Sequence, residues 1–217
     1  MELHTAFNSA LQDEIHCFRE MVQAEKFSNN PLDAGLEIEM QLLNSDLTPH
    51  FNNLDFLAHY QNPHLKSESG ASMLELNTPA FSFQDTKFAN FKDLLASYWD
   101  KINFFAEQQH CKIALIGTLP NVTLKQFNAN SLTNIDRYHK QNAYFSALHS
   151  KKQYPISLQG NETLDINLKG ISITNVGCAT HIHTRVEFAK FAKYYNIAQI
   201  ISAPLLAASA NSPYLYQ

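Results

Sequence analysis

The sequence predicts an α+β fold, an antiparallel sheet with helices packed on its outer face. Three observations predict it. Several short segments alternate apolar and polar residues, as half-buried strands do. Two long segments carry apolar residues three and four apart, as amphipathic helices do. The two kinds do not alternate strictly, as they would in a doubly wound parallel sheet. With 217 residues, 45% hydrophobic and 17% charged, the chain can bury a substantial core, and one domain over 1–217 is expected.

Residues 3–26 place Leu3, Phe7, Leu11, Ile15, Phe18 and Val22 on one stripe, an N-terminal helix ended by Asn29-Asn30-Pro31 and set within residues 1–32. Gly35-Leu-Glu-Ile-Glu-Met-Gln-Leu-Leu-Asn44 follows as a strand over 35–43. Leu36, Ile38, Met40 and Leu42 share one of its faces, and Glu37, Glu39 and Gln41 the other. Side by side and enclosed, two carboxylates raise each other's pKa and need a cation or good donors. Taken alone, the stretch also reads as a strand with one face in water.

A short helix is expected near 53–60, then a loop over 62–72 with Pro63, Gly70 and three serines, long enough to move over a substrate. Met73-Leu-Glu-Leu-Asn-Thr-Pro79 repeats the strand pattern, with Glu75 and Asn77 on its polar face. Residues 84–109 form the clearest helix. Phe88, Phe91, Leu95, Tyr98, Ile102 and Phe105 make a stripe suited to covering a sheet. Lys112 to Gly117 reads as a buried strand leading into Thr118-Leu-Pro120.

Residues 131–149 look helical, capped by Ser131 or Thr133, with Arg137-Tyr138 one or two turns in. Ile156-Ser-Leu158 and Leu164 to Leu168 pair as a hairpin about Gly160-Asn161. Thr180-His-Ile-His-Thr-Arg-Val186 is a third polar-faced strand, carrying His181, His183 and Arg185. The helical region 187–210 is split by Pro204. Its apolar part, Ile197 to Ala210, is too short to span a bilayer and suits a buried, kinked core helix.

If the three polar-faced strands share a sheet, Glu37, Glu39, Glu75, His181 and His183 converge. Carboxylates with a little imidazole suit Mg²⁺ or Mn²⁺ better than a closed zinc site. A net charge of -4 without a basic patch gives no reason to expect nucleic acid. Cys17, Cys111 and Cys178, odd in number and widely spaced, suit a reducing cytoplasm. No phosphate-binding glycine loop is present, so a nucleotide would be held through metal ions and side chains.

Gly35-Leu-Glu-Ile-Glu-Met-Gln, Leu74-Glu-Leu-Asn-Thr-Pro, Ile116-Gly-Thr-Leu-Pro, Arg137-Tyr138, His181-Ile-His and Ala207-Ala-Ser-Ala-Asn-Ser-Pro213 occur in that order. From about residue 33 onward the chain thereby resembles the glutamate–cysteine ligase type 2 family of carboxylate-amine ligases, related in fold to glutamine synthetase. The resemblance implies ATP-dependent activation of a glutamate-like carboxylate as an acyl phosphate, attacked by an amine such as cysteine. The expected partners are those small molecules, with no membrane, and a homo-oligomer is compatible.

The resemblance also implies metal ligands at Glu37, Glu39 and Glu75 with His181 or His183, one histidine facing a phosphate. Arg137 and Arg185 would hold anionic groups, Arg185 with His183 on the nucleotide side, while Asn77 and Thr118 would orient substrate. Members of the family are usually about twice this length, so the expectation is an N-terminal part with an incomplete site and little activity alone. The other readings are a ligase using ammonia or another amine, and a non-catalytic metal- or nucleotide-binding module.

Overall fold

In the computed structural model, which describes residues 2–27, 33–82, 87–148, 154–168, 170–171, 175–212 and 214–216, helix α1 (Glu2–Gln23) precedes strand β1 (Asp33–Leu43). Next come α2 (Asn53–Tyr60), β2 (Leu65–Ser67), β3 (Met73–Asn77), β4 (Phe81–Ser82), α3 (Lys87–Gln108) and β5 (Lys112–Ala114). A 3-10 turn (Ala129–Ser131) leads to α4 (Asp136–Leu148), then the hairpin β6 (Tyr154–Gln159) and β7 (Thr163–Leu168). Strand β8 (Thr180–Arg185), a second 3-10 turn (Phe188–Lys190) and α5 (Phe191–Ser209) complete the described elements. The expected stop at Asn29-Asn30-Pro31 lies outside the described residues.

β1 is the axis of the sheet, antiparallel to four strands. Its Ile38 pairs with Leu76 of β3 and with Thr180 of β8, so these flank it on opposite edges. β4 continues the β3 edge and β5 the β8 edge, while β2 pairs outside β3. The alternation of β1 then does what its period demands. Met40 and Leu42 turn into a core with Leu74, Leu76, Phe56 of α2 and Ile102 of α3, each buried side chain worth roughly 1.5–3 kcal/mol. Phe91, Tyr98, Ile102 and Phe105 of α3 lie on or against the buried side, as their spacing predicts. A second core, around Val122, Phe127, Ile166 and Val176, joins the β6–β7 hairpin to the segment after β5.

Several expectations are corrected. The loop 62–72 is no mobile cover: it contains β2, and Gly70, Ala71 and Ser72 are buried. Lys112 to Gly117 is strand only through Ala114 and is exposed at Leu115: beyond Gln41 that edge of β1 passes to Ala179, which accepts from the Glu39 amide, and to β8. Ser131 and Thr133 do not cap α4, which begins at Asp136; both are buried, the Ser131 hydroxyl donating to the Asn128 carbonyl of its own turn and the Thr133 hydroxyl to the distant Glu68 carbonyl. Arg137 and Tyr138 are therefore in its first turn.

Pro204 does not split α5. The carbonyl that proline leaves without a helical donor belongs to Ile200, which is 75% exposed and open to water. Nor is α5 a core helix, since none of its residues is buried. The stripe of α1 is likewise open, with Phe7 65% exposed. In both, apolar spacing marks a face able to pack, and no described element covers it.

Candidate functional site

The polar face of β1 carries Glu37, Glu39 and Gln41, and the register of its neighbours decides what meets them. β3 sets Glu75 opposite Glu39 and Asn77 opposite Glu37. On the other edge β8 sets His181 opposite Glu37 and His183 opposite Gly35. The three polar-faced strands thus share one sheet.

Two clusters result. In the first, Glu37 Oε2 lies 3.1 Å from His181 Nδ1 and 3.0 Å from His183 Nε2. An ionised carboxylate only accepts, so His181 donates through Nδ1 and, when neutral, keeps its lone pair on Nε2. In the second, oxygens of Glu39, Glu68 and Glu75 all lie within 4.8 Å of one another. The clusters are two residues apart along β1, roughly 7 Å. Between them opens a cavity of about 570 Å³ lined by all four glutamates, His181, Arg137 and Lys66 among others. His183 is not in that lining.

The electrostatics separate the clusters. Burial works to raise the Glu37 carboxyl, but the bonds and charge of His181 and His183 outweigh it and hold it below the usual glutamate value. Glu39 is pushed up, chiefly by burial, with the Glu68 charge adding and the Ala179 N–H, 2.7 Å from Oε2, opposing. Burial also pushes Glu75 up, against a 2.5 Å hydrogen bond from Asn77 Nδ2 and with the charges of Glu68 and Glu37. The carboxylates of the second cluster lack positive charge between them, and a divalent cation would supply it.

Gln41, at the buried end of this face, is enclosed. Its Nε2 donates to Cys178 Sγ at 3.3 Å, and its Oε1 accepts from Ser72 Oγ at 3.0 Å. The Cys178 thiol is pushed up to about 12 by burial and by the Glu39 charge.

Of the other residues singled out in the sequence, Arg137 lines the cavity with its guanidinium 5.3 Å from the Tyr138 ring. The Tyr138 hydroxyl donates to the Ser67 carbonyl at 3.4 Å, tying the first turn of α4 to β2. Asn77 is engaged by Glu75. Arg185 pairs with Asp33 at the far end of β1. Thr118 is not among the lining residues; its hydroxyl donates to the Tyr214 carbonyl at 2.6 Å.

Sequence reasoning missed Glu68 and Lys66. The available signal was Gly70, a turn residue before the second alternating stretch: folded there as a hairpin, the chain returns Lys66 opposite Glu75 and sets Glu68 on the same face, its carboxylate within reach of that of Glu75.

Among the described residues no helix is long and apolar enough to cross a membrane. No curated protein matches the chain. A family model described as glutamate-cysteine ligase family 2 matches residues 33–216, a span that takes in both clusters and every described strand. With a match over that much of its length, the chain belongs to glutamate-cysteine ligase family 2 and so to a family of ligases acting on small molecules.

Proposed function

We propose that the protein is the catalytic part of an ATP-dependent carboxylate-amine ligase, which activates a glutamate-like carboxylate for attack by an amine such as cysteine. Residues 33–216 would form the catalytic unit, with α1 as an appended helix. The observation that carries the reading is the convergence of four carboxylates and His181 on one cavity wall. Oxygen-rich donor sets with one imidazole fit Mg²⁺ or Mn²⁺. When bound, such ions offset the charge developing on a transferred phosphoryl group.

The chain's own residues divide the work. Glu39, Glu68 and Glu75 would hold one ion. Glu37 with His181, and His183 beside them, would hold another or meet a phosphate. Arg137 and Lys66 lie on the same wall and suit an anionic substrate or phosphate, Arg137 bidentately. Asn77 acts on Glu75, orienting a ligand carboxylate. Arg185 is left out of the proposed machinery, because its charge is already matched by Asp33.

The test is thermal unfolding against Mn²⁺ for the parent, Glu37→Gln and Glu75→Gln. At a hundredfold excess over Kd the parent should gain about 2.7 kcal/mol, and both variants should lose most of it. Flat, equal curves in all three would refute the metal site. Amide formation followed by ADP release, tested in a full-length protein with glutamate and cysteine, ammonia or polyamines, then assigns the acceptor.

A further inference from the structure

The acidic cluster includes one member that no strand holds. Glu39 stands on β1 and Glu75 on β3, but Glu68 lies just beyond the end of β2, in the turn that returns to β3. Its carboxylate Oε2 accepts from the Ser69 N–H at 2.7 Å, a local bond that fixes the side chain only if the Glu68–Ser69 backbone is itself fixed. The one backbone bond from the Glu68 amide, to the Met73 carbonyl, is long at 3.5 Å.

Thr133 anchors that backbone directly, while the Ser69 hydroxyl donates to Asn175 Oδ1 at 3.2 Å. Thr133 is fully buried, 65 residues away in sequence, and grips both carbonyls of that dipeptide. Its hydroxyl donates to the Glu68 carbonyl at 2.5 Å, and its backbone N–H donates to the Ser69 carbonyl at 2.8 Å. The hydroxyl in turn accepts from Asn53 Nδ2 at 2.9 Å, which aims its proton at Glu68. Asn53 Nδ2 also lies 3.0 Å from the Gly70 carbonyl and 2.8 Å from that of Met73, so it spans the same turn.

We propose that Thr133 is a positioning residue for the acidic cluster, holding the Glu68 backbone so that its carboxylate meets those of Glu39 and Glu75. The inference rests on the cation-binding reading above. It goes further in assigning a role outside the cavity wall to a residue that touches neither ion nor substrate.

The test is Mn²⁺ titration by calorimetry, with the manganese resonance spectrum as a second readout, on the parent, Thr133→Val, Thr133→Ser, Glu68→Gln and Thr133→Val in the Glu68→Gln background. Valine keeps the volume, the backbone bond to Ser69 and both carbonyl partners of Asn53. Only the hydroxyl is lost. Thr133→Ala, run in parallel, makes the same deletion without a methyl in the hydroxyl's place, so either folded variant decides.

The expected result is a rise in Kd of at least fivefold in Thr133→Val, recovery to within twofold in Thr133→Ser, and no further loss when Thr133→Val is added to Glu68→Gln. A Thr133→Val protein that binds as tightly as the parent overturns the inference. So does a penalty that persists undiminished in the Glu68→Gln background, since the effect would then not run through Glu68. A parent that binds no Mn²⁺, or a Glu68→Gln variant indistinguishable from it, overturns the metal site and this inference with it.

Discussion

Replacing Glu75 by glutamine should stabilise the metal-free protein at pH 7. The oxygens of Glu39, Glu68 and Glu75 lie within 4.8 Å of one another, and at an effective dielectric of about 20 a like-charge pair at that distance costs about 3.5 kcal/mol. Glu39 and Glu75 are half-exposed, so solvent screening reduces the gain from removing one charge to about 1 kcal/mol. The Asn77 hydrogen bond to Oε1 survives, because glutamine keeps an amide oxygen there.

The sign follows from the raised carboxyl. Burial first, then the Glu68 and Glu37 charges, makes the native state hold the Glu75 proton more tightly than the unfolded chain does. The parent therefore loses stability as pH rises from the ordinary glutamate value near 4.5 through the raised native one. Glu75→Gln lacks that loss. For a chain of 217 residues, 1 kcal/mol corresponds to about 2–4 °C in Tm. Scanning calorimetry in chelator should show the variant melting higher at pH 7, with the gap closing near pH 4. Saturating Mn²⁺ should reverse the order. A variant melting at or below the parent at pH 7 in chelator would refute the reasoning.

Glu37→Gln should flatten the acid limb of the stability curve: the Glu37 contribution is present above about pH 4.5 and lost as pH falls through its depressed value, which urea titrations at several pH values would show. Ile102→Ala, at a fully buried contact between α3 and the sheet, should cost about 2–5 kcal/mol in urea unfolding. Iodoacetamide at pH 8 should alkylate the exposed Cys17 of the native protein and leave Cys178 untouched, since that thiol is held near 12; mass spectrometry of the labelled peptides decides. Ile200→Ser, on the open face of α5, should change the stability of this chain by no more than about 0.5 kcal/mol in the same urea assay.

The period-2 stretches were the legible part of the fold. Residues 35–43 and 73–77 alternate because each turns one face to the core and one to the site, 180–185 alternates although all six of its residues are exposed, and the structure joins the three in one sheet with Glu37, Glu39, Glu75 and His181 on the cavity wall. The stripe of α3 was legible for the same reason at helical period. Glu68 was not. It stands in a Ser-Glu-Ser-Gly turn, where no period operates, and a long-range hydroxyl bond sets its position. Thr133 was misread as a cap, because a buried threonine bonding to a distant carbonyl has the same local sequence as one bonding to its own helix. The exposure of α1 and α5 was illegible in principle: composition records that a face can be buried, and packing decides whether it is.

The central place of β1 also orders events in time. Glu37 and His181 are 144 residues apart, and Glu39 is 140 from the Ala179 amide that bonds it. At about 5–20 residues per second of synthesis, the acidic strands leave the ribosome on the order of ten seconds before the imidazoles that pair with Glu37. Through that interval the nascent chain can close the local β2–β3–β1 unit and set β5 against Gln41–Leu43, yet β1 keeps the Asp33 to Ile38 part of that edge bare beside unneutralised acids. Closing that edge with β8 is a late, non-local step and a slow one. Until it occurs, the growing polypeptide offers its own central strand as a template for mispairing, which is where a chaperone, or a low growth temperature during overexpression, would have its effect.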